Sequence, residues 1–288
     1  MGQTIACANQ KGGVGKTTTV VNLATSLALS GQRTLVLDLD PQGNATSGFG
    51  IDRGALPTTL YDVLLGDVDL SEAIVPTRVD GVSLGPASVS LAGAEVELAT
   101  ATQRERRLAH VLGRTADHYD YVFIDCPPSL GLLTVNALTA ADAVLIPTQC
   151  EYYALEGLSQ LIATLNLVRD NLNPALAIKG VVLTMFDGRT NLSADVAAEV
   201  RNHFGSAVFA TVIPRSVRLS EAPSFGLPIA LYRSDSRGAI AYAALAAELL
   251  ERDGRTGSPG GRPLDTIAGI DEDTDALARE AFAVGARS

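Results

Sequence analysis

The sequence contains no tryptophan, three cysteines and, in 288 residues, only three lysines. Cys7, Cys126 and Cys150 lie far apart in apolar surroundings, without the spacing of a metal site or a disulfide framework, so they read as core thiols of a reducing compartment. No apolar run approaches the ~18 residues that a membrane span needs. The chain enters an apolar strand directly after Met1-Gly2-Gln3, which leaves no room for a signal peptide and sets a cytoplasmic expectation. Positive charge is also short: 22 Lys plus Arg stand against 32 Asp plus Glu, a net charge of −10. That excludes a globally basic nucleic-acid binder and leaves a local basic patch open. What is plentiful is apolar residues, 47% of the chain, ample for a core and most simply for one large α/β domain.

Two of the three lysines stand five residues apart, in Gln10-Lys11-Gly12-Gly13-Val14-Gly15-Lys16-Thr17-Thr18. An apolar run, Thr4 to Ala8, precedes this stretch, and an Ala/Leu/Val-rich helical segment, Thr19 to Leu29, follows it. Strand, Gly-rich turn and helix beginning at Lys-Thr is the layout of a phosphate-binding loop. Glycines let successive backbone N–H groups point inward, and the helix start adds free donors and a positive dipole end. Gly12, Gly13, Val14, Gly15, Lys16, Thr17 and Thr18 are therefore the nucleotide-binding candidates. Lys16 is placed for the β- and γ-phosphates and the Thr17 hydroxyl for Mg²⁺. The standard pattern requires glycine where this chain has Gln10, and Lys11 is a second lysine inside the loop.

Two further strands end in carboxylates. Thr34 to Leu37 leads into Asp38-Leu39-Asp40-Pro41-Gln42-Gly43-Asn44, and Tyr119 to Ile124 leads into Asp125-Cys126-Pro127-Pro128-Ser129. Carboxylates at the C-terminal ends of strands beside a phosphate loop can hold Mg²⁺ or orient water. Asp125 fits the metal-holding role through water, opposite Thr17. Asp38 and Asp40 leave two readings open, a functional pair or a turn before Pro41. Further strands at Val82–Leu84, Ala143–Thr148, Ile178–Met185 and Ala207–Ile213 alternate with helices, among them 154–171 and 240–250. The expected fold is a doubly wound, mostly parallel β-sheet covered by helices on both faces, a P-loop NTPase. The strand ends near Met185 and Pro214 are candidates for a base pocket.

These motifs resemble the deviant Walker A group, which includes ParA/Soj partition ATPases, MinD and the nitrogenase iron protein. The likeness to ParA/Soj is carried by the Lys11/Lys16 loop, Asp38 to Asn44, Asp125 to Ser129, and Ile213 to Gly226, over residues 3 to about 250. It implies ATP and Mg²⁺ as cofactors. Lys11 would reach the partner subunit's nucleotide in an ATP-dependent homodimer, and Asp40 would help set up the hydrolytic water, with a possible place at the metal. Lys11, Lys16 and Asp40 are then the catalytic set, and the loop after Pro214, Arg215 included, lies against the base. The implied partners are non-specific double-stranded DNA and a ParB-like centromere-binding protein, and the implied location is the nucleoid.

Arg215, Arg218, Arg233 and Arg237 fall within about two dozen residues of so acidic a chain, and phosphate contacts alone would suffice for DNA without sequence preference. Arg218 and Arg237 are the first choices. Arg104, Arg106 and Arg107 read instead as a solvated helix surface. The domain is expected to span residues 1–253, followed by a Gly/Pro linker and acidic, disordered tail over 254–288. Acidic flanks around 274–284 argue against the basic C-terminal membrane helix of MinD-type proteins. A metabolic P-loop enzyme is the other alternative, disfavoured by Asp40-Pro41-Gln42-Gly43-Asn44.

Overall fold

The computed structural model describes residues 2–66, 68–152 and 154–255. The linker and acidic segment expected beyond that point lie outside the described residues. Eight strands form one sheet: β1 (Gln3–Cys7), β2 (Thr34–Asp38), β3 (Val75–Pro76), β4 (Val82–Gly85), β5 (Tyr121–Asp125), β6 (Ala143–Gln149), β7 (Ala177–Phe186) and β8 (Val208–Pro214). Their order is β3-β4-β2-β5-β1-β6-β7-β8. All neighbours run parallel except the edge pair β3 and β4. The helices are α1 (Lys16–Leu29), α2 (Asn44–Gly48), α3 (Leu60–Leu65), α4 (Leu70–Ala73), α5 (Leu91–Glu97), α6 (Arg107–Leu112), α7 (Leu132–Ala140), α8 (Ala154–Asn171), α9 (Asn191–Phe204), α10 (Val217–Glu221), α11 (Ile229–Tyr232) and α12 (Arg237–Arg252).

Every residue of β2 and β5 is buried. That is why both read as unbroken apolar runs rather than alternating ones: a parallel sheet has a helical layer on each face. Two apolar clusters follow from this, one on each side of the sheet. The expected elements are found with small shifts at their ends. The first helix begins at Lys16, where the Gly-Lys-Thr layout places it, with left-handed Gly15 (φ 89°) at its N-cap. The segment from Arg104 to Leu112 is a 3₁₀ turn followed by α6. Arg106 there donates to the Leu172 carbonyl at 2.8 Å and Arg104 pairs with Glu105 at 2.9 Å, so both are occupied by local contacts. The three cysteines are buried and free. Among the described residues no helix is long and apolar enough to cross a membrane.

Lys179, the lysine outside the loop, is a structural tie. Its ammonium pairs with Asp253 and donates to Gln3 Oε1 at 2.6 Å. Tyr121 donates its hydroxyl to the other Asp253 oxygen at 2.7 Å. The end of α12 is thereby fastened to β1, β5 and β7 at the edge of the sheet opposite the strand ends that carry Asp38 and Asp125. With the Lys179 side chain only 8% exposed, Asp253→Ala strands a buried cation and is expected to cost about 3 kcal/mol. Urea denaturation measures it, and pairing the change with Lys179→Met should recover most of the loss.

Candidate nucleotide site

The phosphate loop follows β1, which lies inside the sheet between β5 and β6. The chain passes from β1 to β2 on one side of it and later from β5 across to β6 on the other, so the loop sits at the kind of crevice where doubly wound sheets bind ligands. Gly13 (φ 75°) and Gly15 (φ 89°) both hold left-handed backbone, a conformation that few other residues adopt at low cost. Two side chains outside the loop fix its path. Asn9 donates to the Pro147 carbonyl at 2.7 Å and accepts from the Lys11 N–H at 3.0 Å. Thr184, on β7, donates its hydroxyl to the Val14 carbonyl at 2.8 Å. Lys16 is buried, and its ammonium donates to the Lys11 carbonyl at 3.3 Å.

Strand register brings the carboxylates together. Asp125 is level with Cys7 on one side and with Asp38 on the other. Asp38 is fully buried and accepts from both the N–H (2.8 Å) and the hydroxyl (2.7 Å) of Thr46. Burial pushes its carboxyl up to about 6, against the opposing pull of Thr46 and of the Asp40 N–H. Asp38 is thus a buried tether that pins α2 to β2, which favours neither of its two sequence readings. Asp40 is 7% exposed and accepts from the Gln42 N–H at 2.9 Å, folding the segment after β2 back toward the loop.

Asp125 is the exception in this cluster. Both of its carboxylate oxygens are buried, and neither has a hydrogen-bond partner. Burial, and then the neighbouring Asp38, hold its carboxyl well above the ordinary range, while Thr17 and Lys16 favour the ionised form. A buried carboxylate without donors is costly, and a hydrated cation at this point would remove the cost. Among the described residues no group of three His, Cys, Asp or Glu side chains could hold a metal ion. Such an ion would therefore take most of its ligands from phosphate and water, which is the habit of Mg²⁺.

Beside the loop lies a cavity of about 550 Å³, a size suited to a nucleotide. Thr17 and Thr18 line it together with Met185, Pro214 and Arg215, so the residues proposed for the phosphate end and the base end share one space. Met185 has φ 50°, left-handed for a non-glycine residue. Lys11 does not line this cavity; it pairs with Glu151 at 3.0 Å, and Arg215 approaches the other Glu151 oxygen at 3.9 Å.

The four C-terminal arginines also converge. Arg215, Arg218, Arg233 and Arg237 line a second concavity of about 450 Å³, with Ser216, Asp235 and Ser236. All four are exposed. Arg218 pairs with Glu221 at 2.7 Å, and Arg233 lies 5.9 Å over the Tyr232 ring. Arg215 and Ser216 belong to both concavities.

A family model described as an AAA domain matches residues 2–178. The sporulation initiation inhibitor protein Soj of Bacillus subtilis is 57% identical over 249 residues, 86% of this chain and 98% of that protein. The chain belongs to the Soj/ParA family of partitioning ATPases. The chromosome partitioning protein ParA of Myxococcus xanthus is a second relative, 55% identical over 88% of this chain and 89% of its own length. Among solved structures, one described as a cobyrinic acid a,c-diamide synthase from Mycobacterium smegmatis, with bound ATP analog and magnesium, is 41% identical. It superposes with a TM-score of 0.78 over 90% of this chain and 99% of that one.

For this family member, sequence reasoning located the loop and the strand-end carboxylates and missed Thr184, Glu151 and Thr46. The one signal available for Glu151 was an acidic residue just past the end of β6, a neighbour of β1.

Asp38 supplies a pH prediction. Its folded pKa lies above the usual carboxylate value, so its contribution is full below about pH 4 and is lost as pH rises through about 6. Subtracting the pH–stability profile of Asp38→Asn from that of the wild type should isolate a decline between pH 4 and pH 6.5. Chemical denaturation without nucleotide measures it, and two superimposable profiles would contradict the assignment.

Proposed function

We propose that this Soj/ParA-family chain is an ATP-dependent switch of DNA segregation, with ATP and Mg²⁺ as its cofactors. ATP would occupy the cavity beside the loop, its phosphates within the ring of loop N–H groups and Lys16, its base toward Met185, Pro214 and Arg215. The unpartnered Asp125 carboxylate and the Thr17 hydroxyl would hold Mg²⁺, which supplies charge neutralisation at the phosphate oxygens. Lys16 stabilises charge on the transferring group, and Asp40 orients the attacking water. Lys11 serves the nucleotide of a second copy, for which it must leave Glu151. That exchange is inexpensive, because the pair is 38% and 43% exposed and exposed pairs contribute about 1 kcal/mol or less.

The observation that carries the reading is the shared wall of the two concavities. Arg215 and Ser216 border the nucleotide cavity and the arginine cluster at once, so a nucleotide that orders the loop after Pro214 also sets the arginines. Dimerisation would double the cluster and make weak phosphate contacts additive along a duplex. Hydrolysis, stimulated by a ParB-like partner, would then release DNA. The domain responsible is residues 1–253.

Co-sedimentation with random-sequence DNA tests this. Wild type is expected to bind with ATP and not with ADP, and Lys16→Ala in neither state. Arg218→Glu should lower affinity at least tenfold while leaving ATP binding unchanged. DNA ignored with ATP even at low salt would defeat the DNA-coating mechanism, and retention on anionic liposomes instead would favour a membrane-positioning role.

A further inference from the structure

The arginine concavity is the one basic surface that the sequence singled out in a chain of net charge −10. Arg237 opens α12 at this concavity, and α12 ends at Arg252, beside the Lys179–Asp253 tie at the far edge of the sheet. The rest of the chain departs from that far edge. Residues 256–288 hold six acidic side chains against three arginines, and four of the six fall in the five-residue run Asp271-Glu272-Asp273-Thr274-Asp275.

We propose that this acidic run is an internal competitor for DNA, which occupies the concavity of Arg215, Arg218 and Arg237 until duplex displaces it. The proposal rests on the DNA-binding reading of that surface and adds its regulation. Reach permits it. The 16 residues of α12 are ~24 Å long at 1.5 Å per residue. The 16 residues after Arg255, Thr256 to Asp271, can span up to ~54 Å when extended, about twice the distance back to Arg237. Charge permits it as well. Arg218 already has Glu221, but Arg237 has no ion-pair partner among the described residues, and the closest carboxylate to Arg215 is 3.9 Å away. A carboxylate run tethered at this range is present at millimolar effective concentration without any loss of translational freedom on docking. Several exposed carboxylate–arginine pairs, each weak, are enough to raise the DNA concentration needed without abolishing binding.

The consequence is a threshold. Sparse phosphate contacts from a single chain do not clear the concavity, whereas a dimer on a continuous duplex engages two concavities at once and does.

The test uses the full chain in three forms: wild type, a tail variant (Asp271→Asn, Glu272→Gln, Asp273→Asn, Asp275→Asn), and a control with the same charge change on exposed helix positions (Asp170→Asn, Asp195→Asn, Glu199→Gln, Glu251→Gln). Affinity for a short random-sequence duplex is measured with ATP. The side-chain Nε–H signals of Arg215, Arg218 and Arg237 are recorded without DNA. The tail variant is expected to bind duplex about three- to tenfold more tightly than wild type, with the control changed by less than about twofold. The three arginine signals should move in the tail variant alone. Equal tightening in both variants, or arginine signals unmoved by the tail, would overturn the competitor while DNA binding itself stands. Arginine signals that move in a protein that binds DNA in no state would uphold the tail contact and remove the segregation reading.

Discussion

The structure turns on one unsatisfied group. Asp125 ends a wholly buried strand with both oxygens buried and only the neighbouring Thr17 hydroxyl and Lys16 to favour its charge, beside a second buried carboxylate at the same level of the sheet. Left alone, such a pair opposes its own ionisation. Everything around it limits that cost without removing it: Thr46 satisfies Asp38, the Asp40 backbone N–H faces Asp38 at 3.3 Å, and Lys16 lies buried close by. In the proposed reading, the uncompensated remainder is what a hydrated cation and its accompanying phosphates would relieve. The clustering of these carboxylates is set by the register of three parallel strands rather than by any flexible part.

From that centre the strand ends lead outward to the arginine cluster. β7 places Thr184 under the loop and Met185 at the cavity wall; β8 ends at Pro214 and delivers Arg215 between the nucleotide cavity and the arginine cluster. The cavity beside the loop and the arginine cluster are therefore joined by a short backbone segment.

What could be read from the sequence was whatever is local in the chain. Gly12 to Thr18 announces its own geometry, because glycines and a helix start must be adjacent to make a phosphate cradle. β2 and β5 announce burial by their unbroken apolar composition, and each ends in an aspartate whose position is then nearly fixed. Thr184 bonds to a carbonyl 170 residues away, and that pairing depends on β7 lying two strands from β1, which no stretch of sequence states. Asp38 was undecided for the same reason: its partner, Thr46, reaches it only once α2 folds back over the sheet. The four arginines were grouped by proximity in sequence, and the turn through α10 and α11 brings them together in space. Beyond Arg255 composition alone speaks.

The scarcity of lysine has a chemical corollary. Lys16 is buried, Lys179 is 8% exposed within its ion pair, and Lys11 is 38% exposed. Acylating reagents and lysine-modifying enzymes alike therefore find essentially one side-chain amine within reach, and it belongs to the phosphate loop. For this protein, lysine acetylation is not a way to decorate a surface; where it occurs at all, it falls on the phosphate loop.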